Sequence, residues 1–356
     1  MLAIEPKINI SRIEESKINH VDFDNLAFGR VFSDHMFVAE YKDGKWGDFS
    51  IEPFADLQMS PATSAIHYGQ SIFEGMKAYR LDDGSIGFFR PEENMERLNF
   101  SARRMGMPEL PKEIFNEGLN QLVAMDENWV PKKPGASLYV RPFMFATDEY
   151  IGVRSSTTYK FIIFTCPVSA YYSKPVRVKI EEEFSRAVPG GVGEAKAAGN
   201  YAASLFPAAK GMEQGYDQLV WTDARTHKYI EESGTMNIMF VVDGEVYTPR
   251  LTGSILQGIT RKSVIELLQS WNVKVNEVDV SVDFIVEAAK AGTLTEAYGV
   301  GTAATIAHIK TIGFRGTDFE LPAVESREIS NKVSEYFKGL KTGRVHDDFG
   351  WMVALK

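Results

Sequence analysis

Short runs of apolar residues broken by turn signals mark the first 170 residues. Segments 37–41 and 48–51 flank Asp43-Gly44, and segments 76–81 and 86–89 flank Asp83-Gly84. An Asp-Gly pair between such runs predicts a hairpin, because its tight turn needs positive φ. Pro91 opens a helix in which Met95, Leu98, Ala102 and Met105 fall at helical spacing. Pro111 opens another, with Ile114, Leu119, Leu122 and Val123 on one side. Segments 138–145 and 161–168 are dense in β-branched and aromatic residues, which predicts buried strands. The first half therefore reads as an antiparallel sheet with two helices. Beyond residue 170 the texture is mixed. Strands are expected at 176–180 and 218–221, a hairpin at 236–242 and 245–247 across Asp243-Gly244, and helices at 201–211, 260–270, 282–291 and 326–340. There is no internal repeat or heptad run. This order is α+β twice over, without the regular βαβ alternation of a doubly wound sheet. It places a domain at 1–168, a connector at 169–175 and a second domain at 176–356.

The arithmetic of the chain agrees. Its 356 residues are enough for about two domains, each with a sizeable core. A charged share of 24% and a hydrophobic share of 44% exclude a disordered or fibrous chain. The net charge of −9 argues against a nucleic-acid partner, which would need a basic patch. One cysteine, Cys166, removes disulfide frameworks and Cys-based zinc sites. The longest apolar run, 161–168, falls short of the ~20 residues that cross a bilayer. Glu5, Glu14 and Glu15 make the N-terminus unlike a secretory signal or a transit peptide. A cytoplasmic protein without membrane or nucleic-acid contact is expected.

Several chemistries are closed. No phosphate-binding G-x-x-x-x-G-K-[ST] loop occurs, and Gly299-Val-Gly-Thr-Ala-Ala304 lacks the third glycine of a dinucleotide fingerprint. The six histidines show no metal-ligand spacing, so no metal is expected. No G-x-S-x-G nucleophile elbow is present. What remains is four glycine-rich, hydroxyl-bearing turns at 189–201, 231–237, 256–261 and 299–302. Small residues let a backbone approach a ligand, and the amides at the start of the 260–270 helix suit a phosphate. Each turn alone also fits an ordinary tight turn. Lys196 stands alone among Ala195, Ala197, Ala198 and Gly199, with no sign of a solvated charged face. A partly desolvated lysine loses pKa and becomes a nucleophilic amine able to form a Schiff base, although a surface loop lysine is the other reading. A lysine, a carboxylate and a phosphate cradle are together what pyridoxal phosphate requires.

The runs Glu232-Ser-Gly-Thr-Met-Asn237, Gly190-Gly-Val-Gly-Glu-Ala-Lys196 with Gly199-Asn-Tyr201, and His67-Tyr-Gly-Gln-Ser-Ile-Phe-Glu-Gly-Met-Lys77 resemble the branched-chain amino acid aminotransferases. So do Phe32-Ser-Asp-His35, Phe89-Arg-Pro91, Ser137-Leu-Tyr-Val-Arg-Pro142, Cys166-Pro-Val168 and Gly301-Thr-Ala303, and the likeness runs from about residue 27 through 351. The resemblance implies a two-domain fold-type IV architecture, similar to D-amino-acid aminotransferase, with a small N-terminal domain and a larger C-terminal domain built on a barrel-like sheet. It also implies pyridoxal 5′-phosphate as cofactor. Lys196 would form the Schiff base and shuttle the proton, and Glu232 would sit at the pyridine nitrogen. Tyr201 would bind the phenolic oxygen, and Arg90, Ile259, Thr260 and Thr302 the phosphate.

Carried over in the same way, Phe32, Tyr68, Phe73, Tyr139 and Tyr171 would line the substrate pocket. Thr235 and Ala303 would receive the substrate carboxylate, with Thr235 also beside the cofactor. Lys77 and Arg141 would stand near the entrance, Arg141 facing the second carboxylate of glutamate. Val153 would reach the partner's site in a homodimer. The implied reaction moves an amino group between L-leucine, L-isoleucine or L-valine and 2-oxoglutarate, giving branched-chain 2-oxo acids and L-glutamate. D-amino-acid aminotransferase, aminodeoxychorismate lyase and a non-catalytic ligand-binding relative are the rival readings. One departure is clear: where the longer animal enzymes carry a Cys-x-x-Cys pair, this chain has Ala304-Thr-Ile-Ala307.

Overall fold

A computed structural model describes residues 7–169 and 174–356. Most of the expected connector, and with it Tyr171, lies outside the described residues. The chain divides into two compact units. One comprises Met1–Tyr171, Ala195–Ala198 and Lys338–Lys356; the other comprises Tyr172–Glu194 and Gly199–Phe337.

The first unit is built on one sheet. Its strands are β1 (Asn9–Ile10), β2 (His35–Lys42), β3 (Lys45–Pro53), β4 (Ser71–Phe73), β5 (Met76–Arg80), β6 (Ile86–Phe89), β7 (Ser137–Ala146) and β8 (Tyr159–Val168), joined by the late strand β18 (Met352–Ala354). The order is β1-β3-β2-β8-β7-β5-β6-β18, with β4 also on β7. All pairs are antiparallel except β1 with β3. Both expected hairpins form, and Asp43 (φ 53°) and Gly44 (φ 76°) make the first turn.

Three helices accompany this sheet: α1 (Ser64–Tyr68), α2 (Pro91–Arg104) and α3 (Lys112–Met125). The stripe read from the sequence is the buried face of α3, with Ile114, Phe115, Leu119, Leu122 and Val123 all inside. Strand alternation then divides the sheet. Phe37 and Phe161 face Phe115 of α3. The opposite face holds Met36, Val38, Phe143 and Phe164. Cross-strand register puts Lys77 beside Tyr139, Tyr139 beside Cys166, Arg141 beside Phe164 and Phe73 beside Phe143. Four of the expected substrate residues therefore share one sheet face.

The second unit carries β9 (Val176–Ile180), β10 (Gln218–Thr222), β11 (Ile230–Ser233), β12 (Asn237–Val242), β13 (Glu245–Pro249), β14 (Val275–Val278), β15 (Leu294–Gly301), β16 (Thr305–Phe314) and β17 (Thr317–Glu320). The order is β11-β10-β9-β16-β15-β12-β13-β14, with β17 beside β16. Strand β11 lies at an edge, yet it leads into the interior strand β12 through three residues, with Ser233 bridging Met236. That short step requires the sheet to curl, and Trp221 and Leu219 on β10 brace the crossing by bonding Gly234. Val178, Ile238, Phe240, Ala297, Ile309 and Ile285 fill the core.

Its helices are α4 (Ala198–Ala202), which begins in the segment grouped with the first unit, α5 (Leu205–Glu213), α6 (Ile259–Ser270) and α7 (Val282–Ala291). A last helix, α8 (Ile329–Thr342), runs on into the C-terminal segment of the first unit. The single helix expected at 201–211 is two. Pro207 has no N–H to continue a helix begun at 198, and it is tolerated only in the first turn of a new one. The strands at 275–278, 294–301, 305–314 and 317–320 were not foreseen: β15, β16 and β17 follow one another through short turns that carry no Asp-Gly signal, and β13 with β14 and β9 with β16 pair in parallel.

Candidate active site

In the first unit, Lys196 is held by its backbone against β4 and α2. Its N–H donates to Ser101 Oγ at 2.9 Å, its carbonyl accepts from Phe73 N at 3.0 Å, and Ala197 bridges Ile72. The flanking Ala195 and Ala197 are buried, which explains the run of small residues: they press on the sheet while Lys196 points the other way. The ammonium lies 4.7 Å from the centre of the Phe73 ring, whose face also takes the Arg141 guanidinium at 4.8 Å. Arg141 donates to Tyr139 Oη at 3.1 Å, and its buried Nε has no hydrogen-bond partner.

Glu74, fully buried one residue after Phe73, forms a two-point pair with Arg97 at 2.7 and 2.8 Å and accepts from Asn94 at 2.8 Å. Burial pushes its pKa up, but Arg97, the charge of Lys196 and the Asn94 bond hold the carboxyl below its usual value. Burial pushes the Lys77 amine down to about 8 and the Cys166 thiol up to about 11. Phe32 packs on Phe54 and Phe164. Tyr68, on α1, is exposed, and Val153 is 91% exposed in the loop after β7. Arg90 caps the start of α2 with φ 48° and ψ 51°, paired to Glu93 at 2.8 Å.

In the second unit, Arg186, Asn200, Tyr201, Glu232, Thr235 and Leu256 line a cleft. Glu232, buried on β11, accepts from Asn237 Nδ2 at 3.2 Å and from the Leu256 amide at 3.1 Å, while its other oxygen meets Arg186. Arg186 also donates to the Ser254 carbonyl at 2.9 Å. The expected turns meet here. Asn237 bonds the Leu256 carbonyl at 3.0 Å, and a Cβ on Gly258 would lie 1.9 Å from Asn237 Oδ1, so a side chain there would displace the amide that Glu232 and Leu256 hold. A Cβ on Gly193 would similarly lie 2.6 Å from the Ser254 carbonyl. Register places Val300 opposite Asn237, which carries Thr302 and Ala303 into the neighbouring turn. Gly258 provides no side-chain cap to α6, so the amides of Ile259 and Thr260 open a helix end suited to a phosphate. Beside the cleft, burial raises the pKa of Glu231, which accepts from Ser254 Oγ.

These groups fit pyridoxal phosphate. The buried Arg186 Nε has no hydrogen-bond partner, and a carboxylate, a phenol and a bare helix end line or adjoin the same cleft. Sequence reasoning passed over Arg186 and Glu74. Arg186 lies in an irregular stretch with no periodicity to mark it. Glu74 could have been found as the one charge inside the apolar run from Ile72 to Met76. Among the described residues no group of three or more His, Cys, Asp or Glu could hold a metal, and no helix is long and apolar enough to cross a membrane.

Comparison with known proteins supplies the family. Residues 71–312 match the family described as Amino-transferase class IV. The chain is 47% identical over 339 residues to branched-chain-amino-acid transaminase 1 of Bacillus subtilis, covering 94% of this chain and 95% of the relative. It is also 47% identical over 334 residues to branched-chain-amino-acid aminotransferase 2 of that organism, covering 93% and 92%. The branched-chain amino acid aminotransferase of Escherichia coli superposes with a TM-score of 0.73 at 25% identity, covering 91% of this chain and 99% of that one. Family match, near-full-length identity and fold-type IV architecture coincide: the chain belongs to the class IV aminotransferases, which depend on pyridoxal phosphate, and within them to the branched-chain-amino-acid aminotransferases.

Proposed function

We propose that the protein transfers the amino group of L-leucine, L-isoleucine or L-valine to 2-oxoglutarate, reversibly and by a ping-pong cycle, as a cytoplasmic homodimer. The observation that carries this reading is 47% identity along 94% of the chain to a relative named for that activity. Bound pyridoxal phosphate supplies an aldehyde for the amine and an electron sink for the charge left when the substrate Cα loses its proton.

The chain's own residues do the rest. Lys196 Nζ would hold the cofactor at its aldehyde carbon and would serve as the base that moves the proton of the substrate Cα. Glu232 keeps the pyridine nitrogen protonated through its negative charge. Tyr201 donates to the phenolic oxygen, and Arg90, Ile259, Thr260 and Thr302 hold the phosphate. Phe32, Tyr68, Phe73 and Tyr139 form the apolar wall, where burying a branched side chain contributes about 1–3 kcal/mol. Differences of one methylene discriminate only about 10–200-fold, so all three amino acids are substrates. Thr235 and Ala303 receive the α-carboxylate. Arg141, with its unpartnered Nε, takes the second carboxylate of glutamate, and Lys77 stands beside it. The exposed loop bearing Tyr150, Ile151 and Val153 supports a subunit contact.

A half-reaction spectrum tests the reading. L-Leucine bleaches the visible band of the holoenzyme and 2-oxoglutarate restores it; bleaching by D-alanine and not by L-leucine overturns it. Sedimentation at the mass of a dimer supports the assembly, and a monomer overturns it.

A further inference from the structure

Arg90 occupies a position that an arginine does not adopt by preference. Its φ of 48° and ψ of 51° lie in the left-handed region, where the Cβ of an L-residue crowds its own backbone. Such a conformation persists only where its surroundings over-determine it. The surroundings here come from the end of the chain. Strand β18 pairs with β6 so that Met352 stands opposite Phe89, and the Arg90 amide donates to the Trp351 carbonyl at 2.8 Å. The Trp351 ring lies 5.4 Å from the Arg90 guanidinium, stacks on Phe349 at 4.2 Å and meets Phe89 edge-on at 5.7 Å. Trp351 is 4% exposed. Pro91, immediately after Arg90, opens α2, so the backbone is clamped on both sides.

We infer that Trp351 is a positioning residue: it fixes the backbone and the guanidinium of Arg90 and thereby sets affinity for the cofactor's phosphate. This rests on the reading of Arg90 as a phosphate group holder. The carbonyl of Trp351 restrains the peptide, and the indole ring supports the charged plane. Glu93 orients the guanidinium at 2.8 Å and Trp351 supports its flat face, so the side chain enters binding already ordered.

The experiment is a pyridoxal phosphate titration of apoenzyme, followed by absorbance, for wild type, Arg90→Ala, Trp351→Leu, Trp351→Phe and the Arg90→Ala/Trp351→Leu pair. Trp351→Leu keeps an apolar side chain and main-chain pairing while removing the ring; thermal melting of each apoprotein reports folding separately. Trp351→Leu weakens cofactor binding about tenfold, Trp351→Phe stays within about threefold of wild type, and the double variant binds no more weakly than Arg90→Ala. Equal losses from Trp351→Leu in the wild-type and Arg90→Ala backgrounds, or no loss with Arg90→Ala weakened, overturn the inference. If Arg90→Ala itself binds normally, the phosphate reading of Arg90 fails, and the inference fails with it.

Discussion

Each unit buries a glutamate against an arginine, and the two pairs are built differently. Glu74 and Arg97 meet through two parallel bonds, Asn94 takes a further bond, and the carboxylate has no exposure at all. Glu232 uses one oxygen for Asn237 and the Leu256 amide and the other for Arg186, whose Nε is left without a hydrogen-bond partner beside an open cleft. The closed pair is finished and holds the sheet face that carries Lys196. The open pair is unfinished, as a pair must be if a third group is to join it. Satisfaction of hydrogen bonds thus separates the closed pair from the pair proposed to meet the cofactor more sharply than burial does, since both carboxylates are buried.

The largest effect expected from this contrast is on stability. Glu74→Ala leaves the Arg97 charge buried and costs about 3–5 kcal/mol in urea unfolding. Replacing both Glu74 and Arg97 by methionine costs less than Glu74→Ala alone. Glu232→Gln moves the other way round: kcat falls about 10²–10³-fold, and the midpoint of unfolding shifts less than for Glu74→Ala. A Glu232→Gln protein that unfolds while Glu74→Ala stays folded would reverse the assignment of the two pairs.

Two smaller effects concern buried charges that are strained in place. Burial sets the Lys77 amine at about 8, below the ~10.4 of an unfolded lysine, so between these values the unfolded chain binds more protons. Wild-type stability therefore rises with pH through that window. Lys77→Met lacks the rise, and its advantage over wild type is greatest at pH 7 and shrinks from about pH 8 upward. Burial raises the pKa of Glu231, so its ionised form weakens the fold at neutral pH and the penalty disappears in acid. Glu231→Gln, which keeps a partner for Ser254, is at least as stable as wild type at pH 7, and the difference vanishes below about pH 4, where Glu231 is protonated in the folded and the unfolded chain alike.

Local structure was legible in the sequence where its causes are local. Asp43-Gly44 and Asp83-Gly84 marked both hairpins, and Pro91 and Pro111 marked the starts of α2 and α3. The curl that returns β11 to β12 was not legible, because it depends on pairings such as Val178 with Ile312 between distant segments. The candidate site divides in the same way. The isolation of Lys196 among alanines left an enclosed site and a surface loop both open, and its docking on β4 could not be read from neighbouring residues. Arg186 and Glu74 escaped because each is a single charge whose meaning comes from a partner tens of residues away in Arg186's case and from α2 in that of Glu74.

The docking of the 195–198 segment also has a bearing on the order of folding. Lys196 and its anchor Ser101 are 95 residues apart in sequence, so their bond closes a long loop. The entropy of such a closure grows only slowly with length, but non-local contacts of this kind form late. During refolding, the hairpins and helices of the first unit should recover their circular dichroism before the chain can take up pyridoxal phosphate. Competence for the cofactor then marks completion of the chain's path, and its appearance is a kinetic signal of the native topology.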